Sequence, residues 1–503
     1  MCWYASWTPC TSDTMTTTAT GLVGLEVRVR EFCDEVRAGS VSSDSLMRLE
    51  EGVREDLDAI GRAAMKQALQ SADFDDSEVW INRVQHGRVR RFTEVVHTSF
   101  GGVSVDKTSY RKDGKSPPVT AMDKALGLVE GGYTPKAAKI TCLLTALVVR
   151  EDVVKIVGEF GGMTMGSATL YRVPQVVMAR YEVRRPQLEQ AVRERSTIPP
   201  TAVTVQFGLD GVMVPQEGEH CDPRGRTPKG DPEPPRHERV VGTLPSSPRD
   251  QDGKMGVAWH EASVGTVAYF DKDGNHLDTT YFGRMPEAYK ATLEEQLTAE
   301  ALHVAACRPD LRPVFASDGA EGQWSTLARI RSKLPGTMQL VAIDLLDLFH
   351  MGEHLQDAAD AIYGKSSPKA RVARVEWVET LKAYDDGLER VRQSLRRFSR
   401  DATKSKVQKA VDKVLEYIKN NRDRTAYKEA EDKKLPLATG PTEAAAKSLV
   451  GVRLKRSGAR YSQHGGQTIL TLLAAHKSGR FDTLWEIIIA DCYAANVTRR
   501  KTA

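Results

Sequence analysis

Three acidic residues stand at positions where carboxylates can do chemistry. Asp210 ends an apolar run (VTVQFGLD), Asp318 directly follows another (VFASDG), and Glu443 lies in the first turn of a predicted helix (GPTEAAAK). Carboxylate oxygens are hard ligands for Mg²⁺. Two such ions roughly 3.5–4 Å apart can activate a water or 3′-hydroxyl, stabilise an in-line leaving oxygen and offset the charge that builds on a phosphodiester. One aspartate would bridge both ions, and the other two acids would each complete one side. Singly, each acid has a plainer account: an Asp after a strand forms turns, and a Glu at a helix start complements the helix dipole. The metal reading rests on all three occurring in this order on these element types.

Other residues could serve the same chemistry. Glu443, Lys447, Val450 and Leu454 are spaced to share one helix face, and Arg453, Lys455 and Arg456 fall at its end. These cations suit the phosphates that flank a cut, although cations also simply favour a helix C-terminus. His350 follows Asp347 by three residues. It could orient a phosphate or the attacking water, or cap the following helices through a hydrogen bond. Glu353 and His354 read as ordinary helix residues. Trp324, after Gln323, could stack on an unpaired base, a contact of about 1–3 kcal/mol. It reads first as a core residue, as do Trp80, Trp259, Trp377 and Trp485.

The elements that must position these residues follow from periodicity. Strands are expected at Val203–Val214, Gly256–Phe270 and Leu277–Gly283, a helix at Pro286–Cys307, and strands at Pro313–Ser317 and Met338–Ile343. Between the first two strands lies Pro215–Lys254, rich in Pro, Gly and charge, which reads as a mobile insertion, 215–254 in the domain scheme. A helical block then runs from His350 to about Lys434, and further helices cover Pro441–Leu454, Thr468–His476 and Phe481–Ala495. Three antiparallel-type strands, then helix, strand, helix, strand, resemble the element order of an RNase H-like core. The fold class expected is α/β: a mixed-sheet core with a large all-helical insertion, preceded by a mainly helical N-terminal DNA-binding region.

Upstream, Leu22 to about Gln85 has helical spacing, Phe92–Val105 reads as a short hairpin, and Lys112–Pro118 as a loop. Thr134-Pro135 is a cap and first-turn pair for a helix to about Arg150. Helices at Glu151–Phe160 and Ala168–Arg184 follow, the latter bent at Pro174. Gly161-Gly162 falls between them, so the three resemble a helix-turn-helix unit whose last helix would enter a major groove. The domains expected are thus 1–21 (disordered), 22–133 (helical arm and hairpin), 134–200 (helix-turn-helix-like), 201–349 (first part of the core), 350–434 (basic helical insertion) and 435–503 (C-terminal core helices).

Composition sets the outer bounds. The 503 residues suffice for roughly two to four domains, and 40% apolar with 27% charged residues is an ordinary globular balance. The seven cysteines form no CxxC pair and no finger spacing, which argues against structural zinc and a disulfide scaffold. No apolar run approaches a bilayer span, and the start lacks the features of a signal peptide, so a cytoplasmic protein with no membrane partner is expected. Met15 is an alternative first residue. The net charge is only +4, yet residues 365–430 hold 18 Lys and Arg against 10 Asp and Glu, an excess of 8. That suits a phosphate backbone, or equally a solvated helix surface laced with ion pairs.

The segment Gly440–Gln467, GPTEAAAKSLVGVRLKRSGARYSQHGGQ, resembles the C-terminal signature of DDE transposases of the ISKra type, bacterial insertion-sequence enzymes. These carry a glutamate before an alanine-rich turn, an RLKRSG run, an aromatic-serine pair and a glycine pair. Asp210 in GLDGVMVP and Asp318 in SDGAEGQW match the family's two aspartates, and Asp347 to His350, with Glu353-His354, matches its DxxH segment. Met122-Asp123, Leu126-Gly127 and Gly131–Pro135 also fit, so the resemblance spans about Phe92 to Trp485.

The resemblance implies an enzyme that binds the terminal inverted repeats of its element on double-stranded DNA and cleaves with two Mg²⁺ ions, for which Mn²⁺ can substitute. It implies joining of the ends to target DNA, in a homodimer or higher assembly at the nucleoid. It makes Asp210, Asp318 and Glu443 the metal ligands. Three departures stand out: YRKDGKSPP replaces a cysteine-containing stretch, Ala438-Thr439-Gly440 replaces glycine-serine-glycine, and Tyr461 replaces a tryptophan. A catalytically silent DNA-binding descendant and another RNase H-fold nuclease are the alternatives.

Overall fold

The computed structural model describes residues 12–163, 165–216, 258–401, 405–456, 459 and 461–499. Residues 1–11 of the expected disordered terminus, and all but the first two residues of the expected mobile insertion, lie outside them; residues 12–21, expected disordered, are instead helical. The chain divides into two compact units, Met1–Leu188 with Asp482–Ala503, and Glu189–Phe481.

The first unit is mainly helical around one sheet. Helices α1 (Ser12–Arg37) and α2 (Ser43–Ser71) form an antiparallel arm; Ser42 caps α2 through a box with Ser45. The sheet has the order β10-β1-β2-β3-β4, all neighbours antiparallel: β1 (Glu78–Ile81), β2 (Val84–Thr98), β3 (Gly101–Arg111), β4 (Val119–Thr120) and β10 (Val497–Thr498). The expected short hairpin is thus a long one, and β1 falls inside the stretch read as helical. Val79 and Ile81 are buried with Tyr110 beneath them, so alternation over four residues wins locally over the helical spacing upstream. Then follow α3 (Ala121–Leu126), α4 (Pro135–Leu147), α5 (Arg150–Phe160) and α6 (Ser167–Glu194), which runs through Pro174 and Pro186. Thr134 caps α4 with Pro135 in its first turn, the arrangement its sequence calls for. The last helix, α18 (Phe481–Ile488), continues as a π turn and then β10, in place of one helix to Ala495.

The second unit is built on a mixed sheet of order β7-β6-β5-β8-β9. Strands β5 (Thr204–Gln216), β6 (Ala258–Phe270) and β7 (His276–Arg284) pair antiparallel; β8 (Arg312–Ser317) lies parallel to β5, and β9 (Ile343–Leu346) parallel to β8. Strand β9 corrects the expectation for Met338–Ile343: Gly336–Val341 is helical (α9), with Met338 in the core. The strand forms only where Leu345 and Leu346 can be buried beside β8.

Side-chain alternation gives the sheet two different faces. Val205, Phe207 and Leu209 join Phe315, α7 (Ala291–Cys307) and α8 (Glu321–Arg331) in an apolar layer, with Phe207 stacked on Phe315. The opposite face, carrying Gln206, Gly208 and Asp210, receives α15 (Gly440–Ala445). Thr442 hydrogen-bonds Thr266 at 2.7 Å and occupies the space where a side chain at Gly208 would lie. On the same side of β8 and β9 packs the helical insertion: α10 (Leu348–Tyr363), α11 (Pro368–Ala383), α12 (Gly387–Asp401), α13 (Ser405–Asn420) and α14 (Tyr427–Asp432). Beyond α15 the helix passes through a π segment, Ala446–Gly451, and a last turn, α16 (Val452–Leu454), before α17 (Gln463–Lys477), which meets β7. No described helix is long and apolar enough to cross a membrane.

Candidate metal and phosphate site

The register of the parallel strands brings three aspartates to one level. Gly208 pairs with Ala316 and Ser317 with Leu346, so two residues on from the first pair and one from the second the chain places Asp210, Asp318 and Asp347 side by side. Adjacent strands are about 4.8 Å apart. Asp318 and Asp347 stand directly after the carboxyl ends of β8 and β9, the edge at which open α/β sheets bind ligands.

Asp347 is fully buried and its carboxylate is fully used. One oxygen accepts from the backbone of Phe349 (2.6 Å) and His350 (3.1 Å), capping α10; the other accepts from the Thr439 backbone (2.7 Å) and hydroxyl. Thr439 is the residue at which α15 begins, and Gln206 of β5 holds the carbonyl of Ala438 at 3.1 Å. Asp347 and Gln206 therefore fasten the start of the Glu443 helix to two strands of the sheet. This is the role of the Ala438-Thr439-Gly440 sequence here: the threonine supplies two donors to a buried acid.

His350 and Glu443 complete a cluster with Asp347. Each of the three offers a ligand atom, all within 4.8 Å of one another, so the group could hold a divalent metal ion. Because Asp347 is saturated with donors, Glu443 is the more available oxygen ligand; it is half-buried and meets Lys447 at 3.2 Å. The Asp347 carboxylate beside it raises the His350 imidazole to about pH 9, against the opposing effect of burial. For Asp347, burial would raise the carboxyl, but hydrogen bonds from His350 and Thr439 outweigh it and hold it at about 2. Nδ1 of His350 stands 3.7 Å from Asp347, an ion pair while the imidazole is protonated, and ligation of a metal through His350 would require that proton to leave.

Asp210 is partly buried. Burial raises its carboxyl, the hydrogen bond from the Gly211 backbone (2.7 Å) lowers it, Asp318 raises it further, and His350 and Lys290 counter that. Lys290 carries no recognisable sequence signal. It sits beside Tyr289 with both backbones left-handed (φ 53° and 57°), immediately before α7, and pairs with Glu261. Two adjacent non-glycine residues in that region are strained, a feature that clusters at functional sites.

Of the expected phosphate-binding cations, Lys447, Lys455 and Arg456 are exposed. Arg453 is only 4% exposed, and burial lowers its guanidinium. A direct phosphate contact by Arg453 does not fit this placement, which it shares with Leu449 and Val450 on the buried side of the helix. Trp324 is core, as expected, and so are Trp377 and Trp485; Trp259, read as a packing residue, is 54% exposed. His354 stacks on Tyr417 of α13 at 3.8 Å. Type and spacing single out Asp210, Asp318, Glu443 and His350; among the described residues, the group whose ligand atoms come together is Asp347, His350 and Glu443, without Asp210 or Asp318, and Lys290, Thr439 and Gln206 enter through tertiary packing alone.

No protein-family model matches the chain, and no curated protein matches it.

Proposed function

We propose that the protein is a metal-dependent DNA transposase of the DDE kind, on an RNase H-like core, acting on the terminal inverted repeats of an insertion sequence of the ISKra type. The observation that carries this reading is the placement of Asp210 on β5 and of Asp318 directly after the parallel neighbour β8, with Glu443 beside Asp347 and His350. The strand order, three antiparallel and two parallel, supports the core assignment. The Gly440–Gln467 sequence supports the family.

The donors suit Mg²⁺. Asp210, Asp318 and Glu443 offer hard oxygens, and Asp210 is partly buried, which raises its carboxyl and which a bound cation would offset. When bound, two Mg²⁺ ions would supply an activated nucleophile and charge neutralisation at phosphorus. The chain's own groups do the rest. Asp347 keeps the Glu443 helix fixed on the sheet. His350, protonated at neutral pH, presents a charged donor to a phosphate oxygen. Lys447, Lys455 and Arg456 hold flanking phosphates, which positions DNA without reading its sequence. The helical insertion adds its local excess of cations. Two DNA ends must be held together for joining, so a homodimer or larger assembly on DNA follows from the proposal.

Strand transfer is the discriminating assay. A donor duplex ending in the element's terminal repeat, mixed with supercoiled plasmid and Mg²⁺ or Mn²⁺, should give covalent donor–plasmid products. Cleavage without such products would favour another nuclease on the same core. Repeat binding without cleavage would favour a silent DNA-binding descendant.

A further inference from the structure

Asp318 is held at more points than an exposed turn residue needs. It leaves the end of β8 and enters a two-residue link to α8, whose first turn contains Gln323 and Trp324. Both side chains fold back onto Asp318, and both are buried, at 5% and 3% exposure.

Gln323 reaches three acceptors. With its amide nitrogen turned toward them, it lies 2.7 Å from Oδ1 of Asp318 and 3.2 Å from the carbonyl of Leu209, and it also meets the Ser317 hydroxyl. The opposite orientation would place the amide oxygen against acceptors, so the surroundings choose this one. The Ser317 hydroxyl donates to the Leu209 carbonyl at 3.1 Å, so Gln323 can give its two hydrogens to Asp318 and to Ser317. Leu209 and Ser317 are the residues immediately before Asp210 and Asp318. One buried amide therefore spans the ends of β5 and β8 at the point where the two aspartates emerge.

Trp324 holds the other side of Asp318. Its indole N–H donates to the Asp318 carbonyl at 2.7 Å, and the Arg424 guanidinium of the insertion lies over its ring at 4.4 Å. Oδ1 of Asp318 also accepts from the Ala320 backbone at 3.0 Å. Oδ1 is thus occupied twice, while Oδ2 accepts no hydrogen bond among the described residues.

We propose that Gln323 is a positioning residue for Asp318: its amide fixes Oδ1, presents Oδ2 alone to a divalent cation, and sets the spacing of Asp318 from Asp210. Trp324, braced by Arg424, fixes the backbone that carries the same carboxylate. Asp318 acts as a one-oxygen ligand in a preset orientation, which raises affinity because the ordering is complete before the ion arrives. The inference rests on the metal reading proposed above.

The test is Mn²⁺ binding by the full-length protein without DNA, followed by electron paramagnetic resonance. Gln323→Leu keeps the side chain's size and removes the donors; Trp324→Phe keeps an aromatic ring and removes the indole N–H. Urea unfolding of each variant reports the structural cost separately. The wild type should bind, and Asp318→Asn should bind at least 100-fold more weakly. Gln323→Leu should weaken binding at least tenfold and Trp324→Phe less, with Gln323→Leu remaining fully folded at the assay temperature. Wild-type Mn²⁺ affinity in Gln323→Leu, alongside loss in Asp318→Asn, would overturn the positioning role and leave the metal site standing. Failure of the wild type to bind, or an unchanged affinity in Asp318→Asn, would overturn the metal reading and this inference with it.

Discussion

At the residue scale, the least replaceable group is one whose chemistry is structural. Asp347 accepts four hydrogen bonds while fully buried. Removing the carboxylate strands donors on α10 and at the start of α15, so Asp347→Ala should destabilise the protein by about 3 kcal/mol in urea titrations. Cleavage should fall with it, because the Glu443 helix loses its anchor. The two linked groups have opposite pH signatures. Asp347 is held at about 2, below its ordinary value of 3.8, so its contribution is present above pH 4 and is lost as pH falls toward 2. His350 is raised from 6.5 to about 9, so its contribution is complete below pH 6.5 and is lost as pH rises through 9. The stability gap between wild type and His350→Gln should therefore be larger at pH 6 than at pH 9.5. An equal gap at both would mean that the imidazolium–carboxylate pair contributes nothing.

At the element scale, the site depends on how closely α15 lies on β5. Gly208 has no side chain because Thr442 fills its place, with the Thr266 hydroxyl 2.9 Å from where a Cβ would stand. Gly208→Ala should cost about 1–3 kcal/mol by overpacking and should displace Glu443. Adding Thr442→Ala should restore part of the melting temperature. The strands carrying Asp210 and Asp318 were legible because runs such as VTVQFGL alternate between a core face and a site face and are bounded by turn residues. The expected strand Met338–Ile343 and β9 differ because so short an apolar run has the same look in a strand and in a short helix; only its pairing with β8 decides. The burial of Arg453 agrees with helical spacing, since it follows the buried Val450 by three residues and Leu449 by four.

At the scale of the whole molecule, the unit from Glu189 to Phe481 contains the three acids, His350 and the helical insertion. The insertion sits between β9 and α15 in sequence, yet the hydrogen bonds from Thr439 to Asp347 close its two ends onto one carboxylate. That closure explains how more than eighty residues can separate Asp347 from Glu443 without loosening the site. The proposed function requires that the three acids form a single cutting centre. Its most direct test is cleavage of a labelled duplex carrying the terminal repeat, with Mg²⁺ or Mn²⁺, by the wild type and by Asp210→Ala, Asp318→Ala and Glu443→Ala. Cutting is expected from the wild type alone, with repeat binding preserved in all four proteins. Cutting that survives in any one variant would contradict it, and survival in Glu443→Ala would remove the glutamate from the centre.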